Sequence, residues 1–319
     1  MRFASGLQQL LRRPPYRPAQ ILGSRSFRLL RPGNPYQRYN TSGESPWRNR
    51  NFWYVFGTAG SGGTVYYLMH LEDSPTGRRR FINVDAAQEH QAGYQAYQEI
   101  LQQYRYQLEP RGSPADILVR RVAERLIRTV GMHEAWEVHV VRSPERNAMV
   151  LPGGKIFVFS GILPIAKNEH GLATVLAHEI AHQYARHSAE KLSQASLLRV
   201  LYLVASLFLD PSALQLGQAL SGLLLELPNS RACELEADRL GLQFMAAACY
   251  EPSEALGLWE RMRAAEESSP PQFLSTHPST AARIDAIRGW IPQAEERRVA
   301  ANCPHPDLAR AFFASAAAR

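Results

Sequence analysis

His178-Glu179-Ile180-Ala181-His182 constrains this chain more than any other stretch. Residues four apart on an α-helix share a face, so a helix here aims both imidazoles at one point. Neutral imidazole is a good zinc ligand. Glu179, next to the first histidine, stands where a base can take a proton from a water activated by that metal. The surroundings predict the helix: Leu172, Val175, Leu176 and Ile180 recur at helical spacing, and Asn168 can cap its start. The motif also arises by chance on amphipathic helices, so a third ligand decides the matter.

His187 follows His182 by five, Ser188 stands where a metzincin needs its third histidine, and Ala185 occupies the place of that motif's glycine. The metzincin variant is excluded. The third ligand must come from another helix, and Glu234-Leu235-Glu236-Ala237-Asp238 supplies carboxylates on one predicted from about Asn229-Ser230 through Leu240, Leu242 and Met245. Glu234 and Asp238 share a face, while Glu236 points away. Glu234 could then bind the metal and Asp238 accept a hydrogen bond from the far nitrogen of a ligand histidine. The bland alternative is a solvent-facing acidic turn. Cys233 sits beside them as a weaker candidate ligand. With Cys249 and Cys303 it makes an odd set of three without paired metal spacing, so no disulfide framework is expected, and core packing is the expected role of Cys233 and Cys249.

The formal charge of +7 invites a reading of nucleic-acid or acidic-membrane binding, but its distribution argues otherwise. Residues 1–50 hold ten arginines and one acid, Glu44, a net +9, which leaves the rest of the chain at −2. No basic stripe interleaved with aromatics follows, so no nucleic-acid partner is expected. The leader is rich in Arg and Ser and lacks the apolar core of a secretory signal, a composition that fits a mitochondrial transit peptide; a disordered basic arm is the alternative.

Asn51 to Leu71 carries no Lys, Arg, Asp or Glu. As a helix, such a stretch rises about 31 Å, a hydrocarbon-core thickness, and aromatics crowd both ends. A single transmembrane helix over 51–71 is expected, against a glycine-rich linker. Helical patterns follow over Ala86–Tyr106 and Pro114–Val130, broken at Pro110–Pro114. Trp136–Val141, Asn147–Leu151 and Lys155–Phe159 read as strands, the last two flanking a tight Pro152-Gly153-Gly154 turn. An exposed edge of that small sheet would offer main-chain hydrogen bonds to an extended peptide. Leu197–Leu209 and Ala213–Leu227 are apolar but too short or interrupted for secure spans, and read either as a buried hairpin or as one dipping into a bilayer surface.

His178–His182 followed by Glu234–Asp238, with Asn147–Gly161 (NAMVLPGGKIFVFSG), Glu234–Gly241 (ELEADRLG), Leu274–Ser279 (LSTHPS) and Arg283, resembles the HtpX and CAAX-prenyl-protease family of integral-membrane zinc metallopeptidases, most closely its mitochondrial branch. The likeness runs from about Thr76 to Cys303. It implies an α+β, mainly α, zincin-type (gluzincin) domain over 76–303 with a small β-sheet, between the leader and membrane helix and a tail at 304–319. It implies one Zn2+ per subunit held by His178, His182 and Glu234, with Glu179 as general base and Asp238 orienting a ligand histidine. Asn147 and Ala148 match a substrate-binding edge strand. His277 matches a histidine facing the cleft, with Arg283 its partner, although His277-Pro278 could equally be a turn that caps the next helix. It further implies a single-pass protein of the mitochondrial inner membrane, its catalytic domain in the intermembrane space. Its substrates would be membrane proteins, including the dynamin-like fusion GTPase, and homo-oligomers and inner-membrane lipid its partners. A membrane-bound chaperone or assembly factor with a vestigial zinc site is the rival reading, and the intact Glu179 argues against it.

Overall fold

The computed structural model describes residues 50–206, 228–266, 273–274, 277 and 281–303. The basic leader up to residue 49, the apolar stretch Ala213–Leu227 and the tail at 304–319 lie outside the described residues.

The chain divides into two units, Met1–Gly60 and Ser61–Arg319, with the boundary inside helix α1 (Arg50–Met69). Within the first unit, Thr58 Oγ1 donates to the Tyr54 carbonyl at 2.8 Å and Trp53 meets Phe56 edge-on. The stretch expected to span a membrane is therefore helical, but no helix among the described residues is long and apolar enough to cross one. At 20 residues α1 has the length. Its glycines, hydroxyls and tyrosines dilute the hydropathy, and that corrects the expected span.

In the second unit, α1 ends on a two-stranded hairpin, β1 (Leu71–Asp73) and β2 (Arg79–Phe81). Helix α2 (Ala86–Tyr104) starts from a capping box between Asp85 and Gln88, and α3 (Pro114–Val130) from Ser113 with proline at its first position. Three strands follow: β3 (Glu137–Val141), β4 (Ala148–Leu151) and β5 (Lys155–Phe159), in the order β3-β5-β4. β3 runs parallel to β5 and β4 antiparallel to it, so β4 is an edge. The turn between β4 and β5 needs Gly153 and Gly154, whose φ values are 87° and 74°.

Strand alternation sorts the sheet's side chains onto two faces. Val138, Val140, Ile156 and Val158 enter the main core with α3 and the helices beyond it; Val141, Phe157 and Phe159 pack with Tyr97, Ile100, Leu101 and Tyr104 of α2. A short helix, α4 (Leu163–Ala166), leads into α5 (Glu169–Tyr184), capped by Asn168, whose side chain accepts from the Gly171 amide at 2.8 Å. Then come α6 (His187–Ser206), α7 (Pro228–Ala247), α8 (Glu254–Glu266) and α9 (Ala281–Ala300).

Helix α5 is almost wholly buried, from Leu172 to Ala181. Arg80 of β2 donates to the carbonyl of Ala185 at its C-terminal end, one of the acceptors a helix leaves open. α7 crosses α5 closely because Gly241 offers no Cβ: one placed there would lie 3.1 Å from the His178 amide nitrogen. The described part of the apolar stretch Leu197–Leu209 continues α6, and Val200, Leu201, Leu203 and Val204 are exposed, which removes the buried-hairpin reading for these residues. Cys249, after α7, is bonded to Cys303, after α9, with Cα atoms 5.3 Å apart. This corrects the expectation of no disulfide framework and of a packing role for Cys249, because an odd count does not prevent two of three cysteines from pairing through space.

Candidate metal centre

The three ligands expected from the motifs converge. His178 and His182, one turn apart on α5, turn their Nε2 atoms toward each other at 3.1 Å. Glu234 on α7 brings its carboxylate to 3.3 Å from His178 Nε2 and 3.5 Å from His182 Nε2. His277 joins them, with Nδ1 2.9 Å from Glu234 Oε1 and 3.3 Å from His178 Nε2. Ligand atoms of these four residues all lie within 4.8 Å of one another.

Both histidines are held from behind. His178 Nδ1 lies 3.0 Å from Asp238 Oδ1, as expected of Asp238. Arg283 clamps that carboxylate through Nε and Nη2 at 2.7 and 2.9 Å, and reaches Glu234 with Nη1 at 3.0 Å. Its guanidinium stacks 4.5 Å above the Trp259 ring. Arg283 is thus the partner of two of the three acids on α7, Glu234 and Asp238, where the resemblance implied a partner of His277.

His182 Nδ1 lies 2.9 Å from His187 Nδ1, and His187 Nε2 lies 3.2 Å from Glu236 Oε2. Glu236 does point away from the two ligand nitrogens, as helical spacing requires, but it is buried and takes Arg78 and Thr76 as partners. Sequence reasoning missed His187 and Glu236 in this role. The signal was a histidine five residues after the motif, spacing that places it near the helix end.

With each Nδ1 committed outward, two Nε2 atoms and a carboxylate face one point. Two neutral imidazoles in that arrangement would oppose lone pair to lone pair, so positive charge is required between them. The electrostatics agree. Burial works against charge on His178, yet the carboxylates of Asp238 and Glu234 raise it to about 9. Burial and the neighbouring His178 push His182 well down. Although burial favours the neutral acid, hydrogen bonds from His178 and His277 hold Glu234 far below the usual carboxylate range. Two imidazoles and a carboxylate are the donor set of a three-ligand catalytic zinc site, and the residues fit that ion.

Glu179 lies beside this point. Its Oε1 is 3.3 Å from His277 Nε2, its Oε2 accepts from the Val150 amide at 3.3 Å, and burial raises its pKa. Val150 belongs to the edge strand β4. The Ala148 amide of the same strand donates to the Asn147 side chain at 2.9 Å. The edge strand expected from Asn147 and Ala148 therefore runs alongside the candidate base.

Cys233 does not join this centre. Its Sγ lies 3.6 Å from Glu190 Oε2 and 3.6 Å from an Arg78 nitrogen. Ligand atoms of His187, Glu190 and Cys233 also cluster within 4.8 Å, but the Arg78 guanidinium already supplies their positive charge, at 2.8 and 2.6 Å from the Glu190 oxygens.

Helix-borne histidines, a carboxylate from a second helix and an adjacent glutamate define a metal-dependent peptidase. The description of peptidase family M48 matches residues 116–291, and the chain belongs to that family. It is 45% identical over 262 residues to the mitochondrial metalloendopeptidase OMA1 of Schizosaccharomyces pombe, covering 81% of this chain and 77% of that protein. The corresponding protein of Saccharomyces cerevisiae is 38% identical over 261 residues, covering 76% and 75%. The human protein of that name is 32% identical over 277 residues, covering 80% of this chain and 53% of its own length. The chain is a metalloendopeptidase of the mitochondrial type these relatives represent.

Proposed function

We propose that His178, His182 and Glu234 hold zinc and that Glu179 is the general base of peptide-bond hydrolysis. The observation that carries this reading is the convergence of two Nε2 atoms and the Glu234 carboxylate on one buried point with Glu179 beside it. Zinc bound there supplies Lewis acidity, polarising the scissile carbonyl and acidifying a water. Glu179 accepts that water's proton at its carboxylate and passes it to the departing amine. Its buried setting raises its proton affinity, which suits a base that must also act as an acid. His277 lines the same point, with Nε2 3.3 Å from Glu179 Oε1, and is the side chain placed to meet the oxygen that gains charge at the attacked carbonyl. An extended substrate pairs with the outer edge of β4, where its carbonyls replace the Asn147 and Glu179 side chains as acceptors from the Ala148 and Val150 amides.

Zinc analysis and a peptide-cleavage assay test the assignment together. Glu179→Gln is expected to keep full zinc and lose nearly all cleavage, and His182→Ala to lose the zinc. Normal turnover by purified Glu179→Gln would reject the base, and chelator-resistant cleavage would reject the metal.

We further infer that the enzyme works at the inner mitochondrial membrane, facing the intermembrane space, on membrane proteins of the kind its likeness implies, the dynamin-like fusion GTPase among them, and as a homo-oligomer. The exposed apolar end of α6 supports contact with lipid, and the Cys249–Cys303 bond suits an oxidising compartment. Carbonate extraction of mitochondria checks the attachment: recovery wholly in the soluble fraction would reject it.

A further inference from the structure

Behind His182 runs a relay of side chains for which the peptidase reaction has no direct use. His182 Nδ1 meets His187 Nδ1 at 2.9 Å, and His187 Nε2 meets Glu236 Oε2 at 3.2 Å. Glu236 in turn receives Arg78 Nε at 3.1 Å, Arg78 Nη2 at 3.0 Å and the Thr76 hydroxyl at 2.7 Å. The His187 and Glu236 side chains are 5% and 2% exposed, so water does not substitute for these contacts.

The order of donors follows from the end of the chain. Glu236, paired with a guanidinium, can only accept, so a neutral His187 carries its proton on Nε2 and presents a bare Nδ1. His182 must then carry its own proton on Nδ1, which leaves its Nε2 lone pair free and aimed at the metal point. The opposite tautomer of His187 would set its bare Nε2 against the Glu236 carboxylate at one end and turn its Nδ1–H against the Nδ1–H of His182 at the other. Buried polar atoms rarely tolerate either.

We propose that Glu236, acting through His187, is the positioning group that fixes the tautomer and ring orientation of His182, and that Arg78 holds Glu236 in place. This deepens the zinc reading of the site and rests on it. The two metal histidines then have matching support from one helix. On α7, Glu234 faces the metal point, Asp238 backs His178 under Arg283, and Glu236 backs His182 by way of His187 under Arg78. Arg78 lies just before β2, in the turn of the hairpin that follows α1. Arg80 of the same hairpin caps the end of α5, so this hairpin is part of the metal site's framework. Glu190 shares the Arg78 guanidinium, so breaking that contact alone leaves the relay's last acceptor in place.

The test uses the full-length, zinc-loaded protein with the substitutions Glu236→Gln and His187→Phe, singly and together. Zinc Kd is measured by chelator competition, the visible spectrum is recorded after cobalt substitution, and thermal unfolding is followed in parallel. Loss of such outer hydrogen bonds typically weakens metal binding by roughly 10- to 100-fold. That loss is expected for Glu236→Gln, with a shifted cobalt spectrum. The double variant should be no worse than His187→Phe alone, because the two residues act in series. Unchanged zinc Kd and cobalt spectrum in folded Glu236→Gln, or additive losses in the double variant, would overturn the proposal while leaving the zinc site intact. If Glu236→Gln does not fold, Thr76→Val removes one partner of the same carboxylate and should weaken zinc several-fold; no change there would overturn it equally. Failure of the unsubstituted protein to bind zinc would overturn both this proposal and the reading beneath it.

Discussion

Gly241 of α7 lies against the backbone of His178 on α5, close enough that a Cβ there would sit 3.1 Å from the His178 amide nitrogen and 3.2 Å from its Cα. The gap between the helix bearing two histidines and the helix bearing three acids is set at this contact. Filling it pushes Glu234 and Asp238 away from their partners together. Gly241→Val is expected to cost about 1–3 kcal/mol of stability, the usual range for overpacking. It should also weaken zinc binding at least tenfold, as read by chelator competition beside a thermal melt.

Arg283 is the shared countercharge of Glu234 and Asp238. Arg283→Met strands two buried carboxylates, and breaking such a pair costs about 3–5 kcal/mol. The pH dependence has a definite sign. Burial pushes the Asp238 carboxyl up, but Arg283 outweighs it and holds the acid below its ordinary 3.8. The resulting stability is present above that value and lost as pH falls through the lower folded-state value. Unfolding measured across pH should therefore show the largest deficit of Arg283→Met near neutrality and a shrinking one in acid. A deficit that grows toward low pH would contradict the arrangement.

Cys233 is a poor nucleophile. Burial and then Glu190 push its thiol up to about 12, despite Arg78 nearby, so the thiolate is scarce near neutral pH. With the other two of the three cysteines bonded to each other, the folded protein is expected to resist iodoacetamide. Mass spectrometry should find a single label after unfolding without reductant and labels on every cysteine after unfolding with it. Rapid labelling of Cys233 in the native protein would refute the buried setting.

The Cys249–Cys303 bond closes a loop of sequence separation 54. Cross-links of this kind contribute about 2–4 kcal/mol. Cys303→Ser should lower the denaturation midpoint accordingly and leave zinc content unchanged, since neither sulfur touches the metal point. A melt indistinguishable from that of the unsubstituted protein would count against the bond.

Where signals are local, sequence reasoning reached the structure closely. Lys155–Phe159 and Pro114–Val130 form with the expected ends, and α5 starts at the expected Asn168 cap, because alternation, helical spacing and capping depend only on near neighbours. His178, His182 and Glu234 meet as expected because spacing fixes the first two and the paired acids point to the third. The misses are long-range. Nothing near Arg78 in the sequence announces that it will meet Glu190 and Glu236, more than a hundred residues away. His187 gave no signal because its partner Glu236 lies on another helix, and helical spacing turned Glu236 from the ligand face without showing what it would meet there. Over α1, the missing charges signalled helix length correctly and hid how far glycine and tyrosine lower the apolarity.

The outward amides of β4 are already engaged in the resting enzyme: Ala148 with its neighbour's side chain, Val150 with Glu179. Bare sheet margins recruit stray polypeptide indiscriminately. Here a visitor must evict the Asn147 amide oxygen at one position and the Glu179 carboxylate at the other before it can settle. Under the proposed mechanism admission and readiness are joined, since the same displacement that seats a chain along the rim also releases Glu179 to act as the base.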